Sequence, residues 1–77
     1  MQPAQCRAAR SLLNWTQPEL AQAAGVSPST LRDFEAGRRV PIANNLAAIR
    51  AALEQAGVTF LENGDVAPGA GVALRGK

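Results

Sequence analysis

Between Thr16 and Gly37 the chain spells out two short helices and the corner joining them, and no other stretch restricts its fold so tightly. Thr16 followed by Glu19 is a capping box: the Thr hydroxyl accepts from the Glu19 backbone N–H, and the Glu19 carboxylate reaches back to the Thr16 N–H. Gly25 turns the chain. Ser27 then supplies a second N-cap, and Pro28 takes the first helical position, where a missing N–H costs nothing. Helices this short bury little surface, so their use is to present a face. Leu20, Ala21 and Ala24 fall on the inner side of the first, and Leu31 and Phe34 on that of the second. Ser29, Arg32, Asp33 and Ala36, with Pro28 at the tip, are left pointing outward. Small and polar groups beside free N–H donors suit the DNA major groove, although spacing alone fits any helical hairpin equally well.

Around this corner the remaining pattern is mostly helical. A first helix is predicted from Pro3 to Asn14, with Trp15 in the position from which a hydrophobic staple closes over the next helix. Arg38-Arg39-Val40-Pro41 reads as a loop, because the proline cannot continue a helix. Asn44 or Asn45 is the expected cap of a helix through Ala56, with Leu46, Ile49 and Leu53 inside and Gly57 as the stop. Past Gly57 the residues become β-branched and aromatic. Val58–Leu61 and Gly71–Arg75 read as short strands, Asn63-Gly64 as a turn, and Ala67–Gly71 as loop material. The predicted fold is mainly α, a compact bundle of four to five short helices containing a helix-turn-helix, with a short C-terminal β-ribbon. Residues 1–57 form the helical domain. Residues 58–77 form an extension that covers the helical core or pairs with a second subunit; a frayed tail is the competing reading.

Hydrophobic residues make up 47% of the 77 positions, but many are alanine, so the core is expected to be thin. Its large members are Leu12, Leu13, Leu20, Leu31, Phe34, Ile42, Leu46, Ile49, Leu53, Val58, Phe60 and Leu61. A domain this lightly filled gains from a partner, and a homodimer is expected. The net charge is +2, and the first 50 residues carry six arginines against Glu19, Asp33 and Glu35, which concentrates positive charge on the helical part. Cys6, near Ala9 and Leu13, has no second cysteine to pair with; it reads as a small core residue in a reducing compartment. The chain has no histidine, which excludes His-based catalysis and His metal ligation. Nor does it carry a Ser nucleophile elbow, a paired-carboxylate signature or a Gly-rich phosphate loop, so no enzyme, cofactor or metal site is expected. No apolar run is long enough for a membrane span, and the opening residues lack a signal-peptide core, which gives a cytoplasmic expectation.

Three sequence words carry a family resemblance. Thr16-Gln17-Pro18-Glu19-Leu20-Ala21, Gly25-Val26-Ser27 and Glu35-Ala36-Gly37 occur in an order and spacing that resembles the helix-turn-helix of the Cro/lambda-repressor-like (XRE) family, across roughly residues 4–56. The resemblance implies a sequence-specific transcriptional regulator of bacterial or prophage type, homodimeric on a two-fold related DNA site and associated with the nucleoid when bound. Its helix at about 28–36 would lie in the major groove, a docking known from members of that family. The Gly-Val-x-Phe strand and the Gly-Val-x-Leu-Arg segment near the end are likewise similar to small bacterial regulators of this kind. A second reading keeps the fold but makes it an antitoxin-like or other protein-partner binding module, with the ribbon clasping the partner.

By positional match, Pro28, Ser29 and Asp33 take base-facing places, with Arg32 close by. Members that use glutamine there differ from this chain, so their base preferences do not transfer. Pro28 offers only apolar contact, and Ser29 donates or accepts with weak discrimination. Asp33 can accept from a cytosine amine or simply orient Arg32 or Arg38; Arg32 suits guanine or a phosphate. The candidate phosphate contacts are Gln17, through its backbone N–H and the helix dipole, then Arg38 and Arg39, with Ser27 and Thr30 weaker. The resemblance also implies a structural ion pair between Arg10 and Glu35; direct phosphate contact by Arg10 is the alternative.

Overall fold

The structure, a computed structural model, describes residues 1–61 and 71–74. Among them four helices precede a two-stranded sheet: α1 (Pro3–Leu13), α2 (Gln17–Ala24), α3 (Pro28–Glu35), α4 (Ala43–Gln55), β1 (Val58–Leu61) and β2 (Gly71–Leu74). The start signals act as their chemistry dictates. Thr16 Oγ1 accepts from the Glu19 N–H at 3.3 Å while Glu19 Oε1 accepts from the Thr16 N–H at 2.9 Å. Hydrogen bonding from Thr16, its backbone N–H first and its side chain second, holds the fully exposed Glu19 carboxyl below its ordinary value. Ser27 Oγ accepts from the Thr30 N–H at 3.2 Å. Gly25 closes α2 with φ of 71°, a left-handed backbone that a Cβ disfavours, and its N–H reaches the Gln22 carbonyl. Asn14 ends α1 with φ of 58°, the one positive φ on a non-glycine residue among those described, and Trp15 N–H then bonds back to the Arg10 carbonyl.

One core joins helices and strands. Cys6, Ala9, Leu20, Ala21, Leu31, Phe34, Ile49, Ala52, Leu53, Val58 and Phe60 form a single buried cluster, with Leu13, Trp15, Leu46 and Val72 packed at its margin. Val58 and Phe60 alternate inward from β1, as a strand with one covered face must. The strands run antiparallel, with Val58 opposite Leu74 and Leu61 opposite Gly71. Gln5, buried in α1, donates from Nε2 to the Leu61 and Gly71 carbonyls at 3.2 and 3.0 Å, which pins one end of the ribbon to the first helix. Arg50 of α4 lies 4.8 Å from the Phe60 ring centre and adds a cation–π contact on the other side.

Three expectations need correction. Leu12 is 42% exposed, because α1 buries the stripe of Gln5, Cys6 and Ala9, and Leu12 falls just past its edge. Ile42 is 69% exposed because it is the N-cap of α4, where its carbonyl accepts from Leu46 and its side chain leaves the helix end. Neither Asn44 nor Asn45 caps α4: the helix starts at Ala43, and its first N–H groups have no side-chain cap. Leu61 is only half-buried, at the strand end nearest the undescribed residues. The Asn63-Gly64 turn, most of the Ala67–Gly71 loop and Arg75 of the second strand lie outside the described residues. No helix among those described is long and apolar enough to cross a membrane.

Candidate functional site

Helix α3 is divided lengthwise by its own sequence. Leu31, Phe34 and Glu35 are buried, whereas Pro28, Ser29, Arg32 and Ala36 just beyond its end are exposed. The polar edge anticipated from periodicity therefore stands clear of the molecule. Arg32 is exposed and makes no ion pair with another described residue. Asp33 is half-buried and its Oδ1 lies 3.8 Å from Arg38 Nη1, so of its two possible arginine partners Arg38 is the one within reach. Exposed and weakly held, that pair contributes about 0–1 kcal/mol to folding.

Beside this edge runs a shallow groove of about 290 Å³. Ser29, Thr30 and Asp33 of α3 line it together with Arg39, Val40, Pro41, Ile42 and Asn45 from the next loop and the start of α4. Four residues nominated from sequence thus meet in one depression: Ser29, Thr30, Asp33 and Arg39. Val40, 81% exposed, and Ile42 give it an apolar rim that the residue pattern did not reveal. Asn45, expected as a cap, lines the groove instead. Ser27 and Thr30 are occupied with each other, their hydroxyls 2.7 Å apart, so Ser27 serves the helix start. Arg38 and Arg39 are exposed immediately after α3.

The far end of α3 is built in the opposite way. Glu35, 2% exposed, receives Arg10 in a two-pronged pair, Nε to Oε2 at 2.7 Å and Nη2 to Oε1 at 2.8 Å. Gln17 Nε2 donates to Oε1 at 2.9 Å and Cys6 Sγ to Oε2 at 3.2 Å. Arg10 also donates to the Trp15 carbonyl at 3.0 Å, and Arg7 donates to the Glu35 carbonyl. No buried side-chain nitrogen or oxygen among the described residues lacks a partner. Burial pushes the Glu35 carboxyl up, but hydrogen bonds from Arg10, Gln17 and Cys6 together with the Arg10 charge outweigh it and hold the group below its ordinary value. Burial first, then the Glu35 carboxylate, drives the Cys6 thiol far above the usual thiol range, so it stays a neutral S–H donor.

Arg10 and Glu35 therefore meet as the family resemblance implied, while Gln17, named for its backbone N–H, also commits its side chain to Glu35. The contributions of Cys6 and Arg7 went unread. Their signal was present: Cys6 and Arg10 are four residues apart and Arg7 and Arg10 three, so one face of α1 offers all three to the same residue, Cys6 and Arg10 to its carboxylate and Arg7 to its carbonyl. Beyond them, Arg7, Arg10, Asn14, Thr16 and Gln17 line an open trough at the start of α2. No group of three or more metal-ligating side chains occurs among the described residues. A family model described as helix-turn-helix matches residues 7–56 of the chain. No curated protein matches it.

Proposed function

The chain belongs to the Cro/C1-type helix-turn-helix family, whose members are DNA-binding regulators, and from that premise we propose that it is a sequence-specific, non-enzymatic regulator with α3 in the major groove. The observation that carries this reading is the split of α3: Pro28, Ser29 and Arg32 stand exposed on a helix whose other face is locked into the core. A probe for base edges needs both properties, because rigid presentation lowers the ordering cost of binding. Ser29 and Arg32 are the proposed base contacts and Pro28 an apolar one. Asp33 acts mainly by orienting Arg38. Arg38, Arg39, Thr30 and the Gln17 backbone N–H hold phosphates, and Ser27 contributes chiefly as the cap.

Two copies are proposed to bind a two-fold related site, with the ribbon of β1 and β2 as the contact between them. Leu74, 48% exposed on β2, supports that choice. The experiment is selection of bound duplexes from a random library at a stated salt concentration, repeated with Arg32→Ala. Enrichment of a palindrome, with altered preference at one position of each half-site in the variant, is the expected result. Failure to prefer any duplex over bulk competitor would remove the regulator reading. Replacing Arg38 and Arg39 together should weaken binding to every duplex and flatten the salt dependence by about 0.9 per lost phosphate contact.

A further inference from the structure

Helices α2 and α3 make a V whose closed end is the Gly25–Ser27 turn. Its open end lies between the first residue of α2, Gln17, and the last of α3, Glu35. Each arm has eight residues, about 12 Å at 1.5 Å per residue. At that lever length a 1 Å slip at the open end rotates an arm by roughly 5°, so a bond across the mouth controls the angle better than one near the hinge. Among the described residues, the side-chain hydrogen bond joining α2 to α3 is Gln17 Nε2 to Glu35 Oε1, 2.9 Å, at that open end. Its acceptor cannot drift, being buried and held by Arg10 through two bonds and by Cys6 through a third.

Resting on the DNA-binding reading, we infer that Gln17 is a positioning residue whose side-chain amide braces the α2–α3 corner and sets the angle at which α3 meets the bases. Gln17 is half-buried rather than extended into solvent, and the amide is charge-assisted by its carboxylate partner. Base edges are read over hydrogen-bond distances, so a small rotation of α3 misplaces Ser29 and Arg32 together. Phosphate contacts from long, exposed arginines tolerate the same rotation. The brace therefore governs discrimination between sequences more than overall affinity.

The test compares the full chain with Gln17→Ala and with Gln17→Met, which keeps the bulk and removes the donor. Fluorescence anisotropy is read at several salt concentrations on a duplex recovered by selection and on a scrambled duplex of equal length. The expected result is a roughly tenfold rise in Kd for the selected duplex, the size of one impaired base contact. Both variants keep the backbone N–H of residue 17, so the loss should fall on discrimination: the ratio of the two Kd values narrows by the same factor, in folded protein verified by its unfolding transition. Equal weakening on both duplexes, with a slope flatter by about 0.9, would assign the amide to a phosphate and overturn the inference. No change on either duplex would also overturn it. Wild-type protein that binds both duplexes alike would instead overturn the sequence-specific reading on which the inference rests.

Discussion

The two ends of α3 solve opposite problems. At its C-terminal end, Glu35 is buried and its carboxylate oxygens are taken up by Arg10, Gln17 and Cys6. At its N-terminal end Ser29 is exposed, and so is Arg32 further along the same outer edge, with no ionic partner among the described residues. One helix eight residues long is thus fastened at one end and available at the other. The difference teaches where stability and recognition are separately held. Changes at the first end should act on folding, and changes at the second on what the protein binds.

The largest expected effect lies at the fastened end. Glu35→Ala leaves the Arg10 guanidinium without its carboxylate and should cost about 3–5 kcal/mol in urea unfolding. Arg10 keeps 20% of its side chain in solvent, which draws the value toward the lower limit. The double change Arg10→Ala with Glu35→Ala should cost less than the sum of the single ones; a double-mutant cycle showing strict additivity would break the comparison at its strongest point.

Next in size is loss of a proposed base contact along the exposed edge. Ser29→Ala or Arg32→Ala should shift preference at one base position by about 1–3 kcal/mol, measured by competition between duplexes. Neither should move folding stability by more than about 0.5 kcal/mol, since both side chains are exposed. A large drop in unfolding midpoint for either would erase the distinction between the ends.

Gly25→Ala tests the hinge. A Cβ there meets no atom within 4 Å, so the cost is conformational: about 1–2 kcal/mol for a left-handed backbone, read from the denaturation midpoint.

Acidity sharpens the comparison further. Glu35 has a depressed folded pKa, so its contribution is complete above the unfolded carboxyl range, near pH 4.3, and is lost as pH falls through the folded value. Cys6 has the reverse sign. Its raised folded pKa gives stability that is complete below the ordinary thiol value of 9.0 and lost as pH rises above it. Urea midpoints across pH should therefore fall on both flanks, and Cys6→Ala should remove part of the alkaline loss. An unchanged alkaline flank in that variant would place the thiol outside the titrating hub.

Much of this architecture was legible from local chemistry. The Thr16 and Ser27 caps, the Gly25 turn and the inward Leu31 and Phe34 follow from hydroxyls, a missing Cβ and helical period. The strand at Val58–Leu61 follows from β-branched and aromatic residues after a helix stop. What local pattern misjudged sits at element ends. Ile42 looks like core by type, yet at the N-cap its side chain leaves the helix, and nothing in its neighbours' identities marks that position. The apolar rim of Val40 and Ile42 was missed for the same reason.

The sequence by itself determined which segments are helical, where the first three begin, and which edge of α3 stays polar, because caps, turns and periodicity act over a few residues. Only the tertiary structure decided that Cys6, Arg10 and Gln17 converge on one buried carboxylate, that Arg7 seizes the adjoining carbonyl, and that Gln5 fastens the ribbon to the first helix. Those bonds join residues between 18 and 66 positions apart. Whether a donor reaches such an acceptor depends on how whole helices pack, a condition no short window of sequence contains.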